Sequence, residues 1–242
     1  MKIALEEQVW ERLYGPYGNR RVNRIIAGLY RQWDSAVAND LFWEELHHQD
    51  TIYPATFAAL PWLSDVAPAE GEGFVDTYLF LSQVIHCALA KPGGNGPDGN
   101  HGLSTTIADH HHSWLPPREW LRQDDRAVLL GLEAWFSANC AALADRCLDL
   151  VSSDAVASAY ALRGFAALHG CERVAGTVEM FAQGEKTDTI HQYLGPYDAR
   201  DSHVVALLHP KLIARNPRIV SFMLDYPGCT FVPKGARQAD LL

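Results

Sequence analysis

The chain has no Cys-x-x-Cys pair, no Gly-x-Ser-x-Gly elbow, no Walker loop and no dinucleotide-binding glycine fingerprint. The first absence removes the usual structural zinc frameworks. The second removes an elbow-borne serine nucleophile. The last two remove the common phosphate cradles, because the glycines between 93 and 102 are not placed between a strand and a helix. Positive charge is also short: 20 Lys and Arg face 29 Asp and Glu, for a net charge of −9. Binding along a phosphate backbone wants the opposite sign, which argues against a general nucleic-acid binder. No uninterrupted apolar run approaches the ~20 residues that span a bilayer. The opening MKIALEEQVWERLY sets Glu6 and Glu7 where an export leader carries its apolar run. The five cysteines are odd in number and scattered. Cys140 and Cys147 fall two turns apart on one predicted helix, ~10 Å along its axis, which is too far for a disulfide. With Cys87, they sit on apolar stripes and read as inert, reduced thiols. A cytoplasmic protein with no cofactor and no membrane or nucleic-acid partner is expected.

What is present is helical periodicity over nearly the whole length. Residues 2–14 predict a first helix, stopped by Gly15-Pro16-Tyr17-Gly18-Asn19. Residues 21–32 follow, with Val22, Ile25, Ile26 and Leu29 on one face. Asp34 or Ser35 caps a third helix carrying Val37, Leu41, Phe42 and Leu46. Tyr53-Pro54 opens a fourth, since proline loses nothing at a first helical position. Residues 72–90 give the clearest stripe, through Phe74, Tyr78, Leu81, Ile85 and Ala88. Residues 91–104, beginning KPGGNGPDGNHG, cannot continue it and predict an internal glycine-rich loop. Helical signal returns near Pro117 and runs to Leu150, with a break expected at Asp124-Asp125. Ser152 or Ser153 caps the next helix, and Gly170 ends it in the left-handed conformation. Residues 172–183 and 203–214 are helical, 219–224 are helix or strand, and 225–242 form an extended tail. The tryptophans at 10, 33, 43, 62 and 135 are expected inside helices, in the core.

Two internal echoes accompany this pattern. Phe-Ala-Ala-Leu occurs at 57–60 and 165–168. Gly-Pro-Tyr occurs at 15–17 and 195–197, with Arg20 and Arg200 three residues beyond. The offsets suit a repeat of about 36 residues and about six helix pairs. The segment Trp43 to Ala67, WEELHHQDTIYPATFAALPWLSDVA, resembles bacterial HEAT-like repeat proteins. Their N-terminal region carries His-Gln, then Tyr-Pro-Ala, then Ala-Leu-Pro-x-Leu. Here these are His48-Gln49, Tyr53-Pro54-Ala55 and Ala59 to Leu63. The match fades to a generic pattern over 153–183 and is absent from the tail. The resemblance implies an all-α, right-handed α-α superhelix, a single domain over 1–242. Some members of the group look like immunity proteins that neutralise bacterial toxins.

Eleven histidines raise the question of chemistry. Asp109-His110-His111-His112 follows His101, and His110 with His112 would share a side of an extended segment, as two ligands of one ion. Glu44 with His47, and Glu45 with His48, are Glu-x-x-His pairs. Asp98/His101 and Asp188/His191 have the same spacing, but a di-iron bundle needs further carboxylates. HHQDT more simply closes one helix through His47 and His48 and caps the next through Asp50 or Thr51. Trp114 and Trp120 flank Pro116-Pro117 beside the histidines and have the character of interface anchors. The leading expectation is a non-catalytic protein-binding scaffold, an immunity-type protein whose acidic surface meets a basic toxin domain. Its partner-binding residues would be His101, His110, His111, His112, Trp114 and Trp120. The alternatives are a zinc or iron enzyme using 101–112, and a helical scaffold unrelated to toxins.

Overall fold

A computed structural model describes residues 1–18, 21–48, 51–89, 125–151 and 155–234. Among them the protein is all-α, with ten α-helices and one two-residue antiparallel ladder. Helix α1 is Val22–Arg31 and α2 is Ser35–Asp40. Strands β1 (His47–His48) and β2 (Thr51–Ile52) lead into α3, Pro54–Val66, and α4, Glu72–Leu89. The later helices are α5 (Arg126–Cys147), α6 (Ala155–Leu168), α7 (Glu172–Ala182), α8 (Thr187–Leu194), α9 (Ala199–Leu212) and α10 (Pro217–Asp225).

The capping chemistry explains most boundaries. Asp34 accepts hydrogen bonds from the amides of Ala36 and Val37, and Asp198 from those of Arg200 and Asp201. Asn216 does the same for Ile219 and admits Pro217 at the first turn. Gly170 closes α6 at φ +65°, the left-handed geometry expected of it. The Ser152 or Ser153 cap and the 91–104 loop lie outside the described residues. The stretch 219–224, ambiguous by pattern, is helical within α10.

The N-terminus departs from expectation. Residues 2–14 form only a 3-10 turn at Gln8–Glu11. The carbonyls that a helix would use internally go elsewhere: Trp62 Nε1 donates to Ile3 O, Trp10 Nε1 to Ala4 O and Asn23 Nδ2 to Leu5 O. Ile3, Val9, Trp10 and Leu13 are buried in the core, and tertiary capture overrides a short helix. Arg12 locks the segment to the start of α5 with a two-pronged ion pair, 2.8 and 2.6 Å, to the buried Asp125.

The core is centred on α4 and α6, each also touching α5. Phe42 stacks on Phe80 at 4.7 Å, and Phe57 meets Phe136 edge-on at 5.4 Å. At the α4–α6 crossing, Ser82 Oγ accepts from the Gly164 amide at 2.9 Å and donates to Tyr160 O at 2.8 Å. Those two backbone groups are spaced as helical partners, so the hydroxyl bridges the α6 ladder from outside. In the C-terminal half, Phe181 stacks on Phe222 at 4.2 Å, and Tyr197 bonds Thr177 beside Tyr226. From Tyr226 to Lys234 the chain is irregular and lies along α9, with the Thr230 amide on Ser202 Oγ.

The echoes occupy unlike places. Phe57–Leu60 lies in the first half of α3, whereas Phe165–Leu168 is the last turn of α6. Tyr17 is exposed and Tyr197 is buried. The span Ala127–Leu150 is long and apolar enough to cross a membrane by length and composition, with a mean hydropathy of 1.5 in its best window. Alanine and leucine interspersed with Ser, Asn and Gly reach that average without an uninterrupted apolar run. In the fold one face of it, Leu132, Phe136, Ala144 and Cys147, joins the core.

Candidate functional site

The sequence-nominated partner residues, His101, His110, His111, His112, Trp114 and Trp120, all lie outside the described residues, as does the Asp98/His101 pair. Among the described residues no three metal-binding side chains converge. The two Glu-x-x-His pairs do not share a helix face. α2 widens into a π-turn at Leu41–Glu45, closed by the Leu46 amide on Leu41 O at 3.0 Å, and His47 then begins β1. Thus His47 and His48 do not close a helix. They form a strand in which His47 pairs with Ile52 and His48 with Thr51, while Gln49 and Asp50 lie outside the described residues. The cap of α3 is Tyr53, whose amide donates to Thr56 Oγ1 at 2.9 Å, and Thr56 in turn donates to Leu46 O. Asp188 and His191 stand exposed on α8. Of the five tryptophans assigned to the core, Trp10 alone is fully buried; Trp33 lies between helices and Trp43 in the π-turn.

The structure instead opens a cleft where α1 meets α2. It holds about 520 Å³ and is lined by Ile25, Gly28, Leu29, Arg31, Gln32, Asp34 and Val37. Its origin is legible in the helices that make it. Ile25 and Val37 belong to stripes that periodicity assigns to a core, yet Ile25 is half-buried and Val37 is 42% exposed. Leu41, Phe42 and Leu46, further along the same segment, are fully buried. The apolar face of α2 therefore continues past the core and into the cleft.

Gly28 sits between them in the interior of α1, and a Cβ there would meet nothing within 4 Å. Glycine in a helix interior costs about 1 kcal/mol relative to alanine. At Gly28 neither backbone conformation nor a close neighbour inside the protein requires it. Trp33, set between the cleft residues Gln32 and Asp34, rests on Gly73 at the start of α4. A Cβ at Gly73 would fall 2.5 Å from Trp33 Nε1, so the cleft is fixed against the corner where α3 passes to α4.

That corner is acidic. Asp65, Glu70 and Glu72 are exposed there with Asp76 half-buried beside them, and Lys2 pairs with Asp65. Burial first, and the like charge of Glu72 second, push the Asp76 carboxyl above its ordinary range. Arg31 and Asp34 put one charge of each sign on the cleft itself. An apolar floor, a helix backbone bared at a glycine and an acidic flank make a surface suited to a side chain with basic neighbours. The sequence signal for it was a glycine inside an otherwise regular amphipathic helix.

No family model, curated protein or solved structure matches the chain.

Proposed function

We propose that this chain is a non-catalytic, protein-binding helical scaffold of the immunity type, which neutralises a toxin by covering a basic surface on it. The observation that carries the reading is Gly28: an interior helical glycine with open space above it, on the floor of an apolar cleft beside an acidic corner. A helix backbone left uncovered at a cost to the free protein is suited to close approach by another molecule. The net charge of −9 steers a basic partner towards it. A HEAT-like superhelical array is the matching architectural proposal. It draws support from α1 touching α3, α2 touching α4 and α7 touching α9, contacts between alternate helices within continuously described stretches or across short gaps, as in a two-layer solenoid. The likeness of Trp43 to Ala67 to HEAT-like proteins supports it too, whereas the internal echoes do not, because they fall at unlike positions in their helices.

The test is co-expression with the product of a toxin gene adjoining this one. A stable complex, and growth restored by the chain, are the expected results. Gly28→Trp fills the cleft without touching the core, so it is expected to abolish the complex without lowering the melting temperature of the free chain. A complex that survives Gly28→Trp removes this cleft from the reading. Absence of any adjoining toxin, or stoichiometric zinc or iron in the purified chain, overturns the immunity scaffold itself.

A further inference from the structure

A second cluster lies where the β1–β2 hairpin meets the end of α4. Cys87, in the last turns of α4, is half-buried, and its Sγ lies 3.9 Å from His47 Nε2. Gln83, one turn earlier on the same face, directs Nε2 at Cys87 Sγ from 3.4 Å. The orientation of that amide is set from its other end. Gln83 Oε1 accepts from Arg163 Nη1 at 3.3 Å, and Arg163 is held by both carboxylate oxygens of Glu179 at 2.7 Å. His47 is equally fixed: its backbone is in the ladder with Ile52, and its ring stands perpendicular to Trp43 at 5.4 Å. Beside the pair is a cleft of about 370 Å³ lined by Trp43, Leu79, Gln83, Tyr160 and Arg163. Trp43 touches His47 and Gln83 touches Cys87, so thiol and imidazole both stand one side chain from the cleft.

The other four cysteines are placed differently. Cys140, Cys147 and Cys171 donate to the carbonyls of Ser137, Tyr78 and His169, partners that favour the protonated thiol. Burial is the first cause pushing each of these, and Cys229, above its ordinary range. Cys87 has an imidazole and a side-chain amide donor beside its sulfur, partners that favour the thiolate. Cys229 also accepts from Ser202 and the Phe231 amide, but burial outweighs them there.

The geometry points to Cys87 as a thiol–disulfide exchange site, with His47 as its proton acceptor and a small-molecule disulfide as its reactant. His47 takes the thiol proton, and the Cys87 thiolate attacks one sulfur of the incoming disulfide. A new S–S bond to Cys87 forms as the old S–S bond breaks. The departing thiolate leaves with the proton from His47, so the products are one mixed disulfide and one free small thiol. Exchange needs only a thiolate and access. Acyl transfer would also need donors aimed beyond the sulfur at an oxyanion, and the Gln83 amide is turned onto the sulfur itself.

The test exposes the native chain briefly to glutathione disulfide and locates the mixed disulfide by mass-spectrometric peptide mapping. Cys87 is expected to react about tenfold or more faster than any of the other four cysteines. His47→Gln is expected to slow Cys87 about tenfold with the circular dichroism and melting temperature unchanged. First modification at another cysteine, or a Cys87 rate indifferent to His47→Gln, overturns the assignment. Should that variant fail to fold, the native Cys87 rate is compared with its rate in the urea-unfolded chain at the same pH. A faster native rate supports the assignment, and an equal or slower one overturns it.

Discussion

One substitution made at two glycines should move stability in opposite directions. Gly28 and Gly164 both lie inside helices, α1 and α6, and neither has a positive φ. Alanine gains up to about 1 kcal/mol over glycine in a helix interior, chiefly by restricting the unfolded chain. At Gly28 nothing offsets that gain, because no atom lies within 4 Å of the new Cβ. Gly28→Ala should therefore stabilise the free protein by about 0.5–1 kcal/mol. At Gly164 the Cβ would sit 2.9 Å from Ser82 O, 3.1 Å from Ser82 Cα and 3.0 Å from Ser82 Oγ. Two of those atoms are backbone and cannot swing aside, so α4 and α6 must part. Overpacking of this kind costs about 1–3 kcal/mol. Parting the helices also stretches the bridge from Ser82 Oγ to Gly164 and Tyr160, worth about 0.5–1.5 kcal/mol per bond. The helix-propensity gain is outweighed, and Gly164→Ala should destabilise by about 1–3 kcal/mol. Urea unfolding of both variants beside the wild type reads this as midpoints displaced to opposite sides at an unchanged slope. In thermal melts each kcal/mol corresponds to about 2–4 °C for a chain of this size. A Gly164→Ala protein as stable as wild type would refute the close crossing, and a destabilising Gly28→Ala would refute the open cleft.

Arg12→Ala should cost about 2–3 kcal/mol, because it takes a two-pronged partner from the buried Asp125. Lys2→Ala, which loses a more exposed pair with Asp65, should cost under about 1 kcal/mol in the same denaturation assay. Equal losses would show that the N-terminal segment is not anchored through Arg12. Asp198→Ala removes the cap of α9 and should cost about 1 kcal/mol at neutral pH. The amides of Asp201 and then Arg200 hold the Asp198 carboxyl below its ordinary range. A lowered carboxyl pKa stabilises the fold above the unfolded pKa, and the contribution is lost as pH falls through the folded one. The gap between wild type and Asp198→Ala should accordingly narrow on acidification, measured as urea midpoints from pH 6 downwards. A gap that widened would contradict the cap.

The sequence was most informative where an element is defined by neighbours along the chain. Asp34 before α2, Pro54 at the start of α3 and Gly170 after α6 behave as local chemistry dictates, since the groups that satisfy one another lie within a few residues. The stripe from Tyr78 to Ala88 in α4 is buried as its period requires. The histidine- and tryptophan-bearing segment nominated for binding lies outside the described residues, so none of that site can be placed. α8 was missed: its eight residues carry one fully buried side chain, Ile190, and so show hardly any period.

The all-α class and most of the helix limits are legible along the chain, because helical period and caps are short-range properties. The rest depends on contacts between distant segments, made by the tertiary structure. It drew residues 2–14 out of a helix by giving their carbonyls to Trp62, Trp10 and Asn23. It turned His47 and His48 from a helix end into a strand, since a π-turn ended the preceding helix and left His47 to pair with Ile52. It also set Cys87 against His47, 40 residues away in sequence, whereas the other four thiols are raised first of all by burial. Such differences depend on which surfaces meet, and a contact between distant residues leaves no period in a single chain.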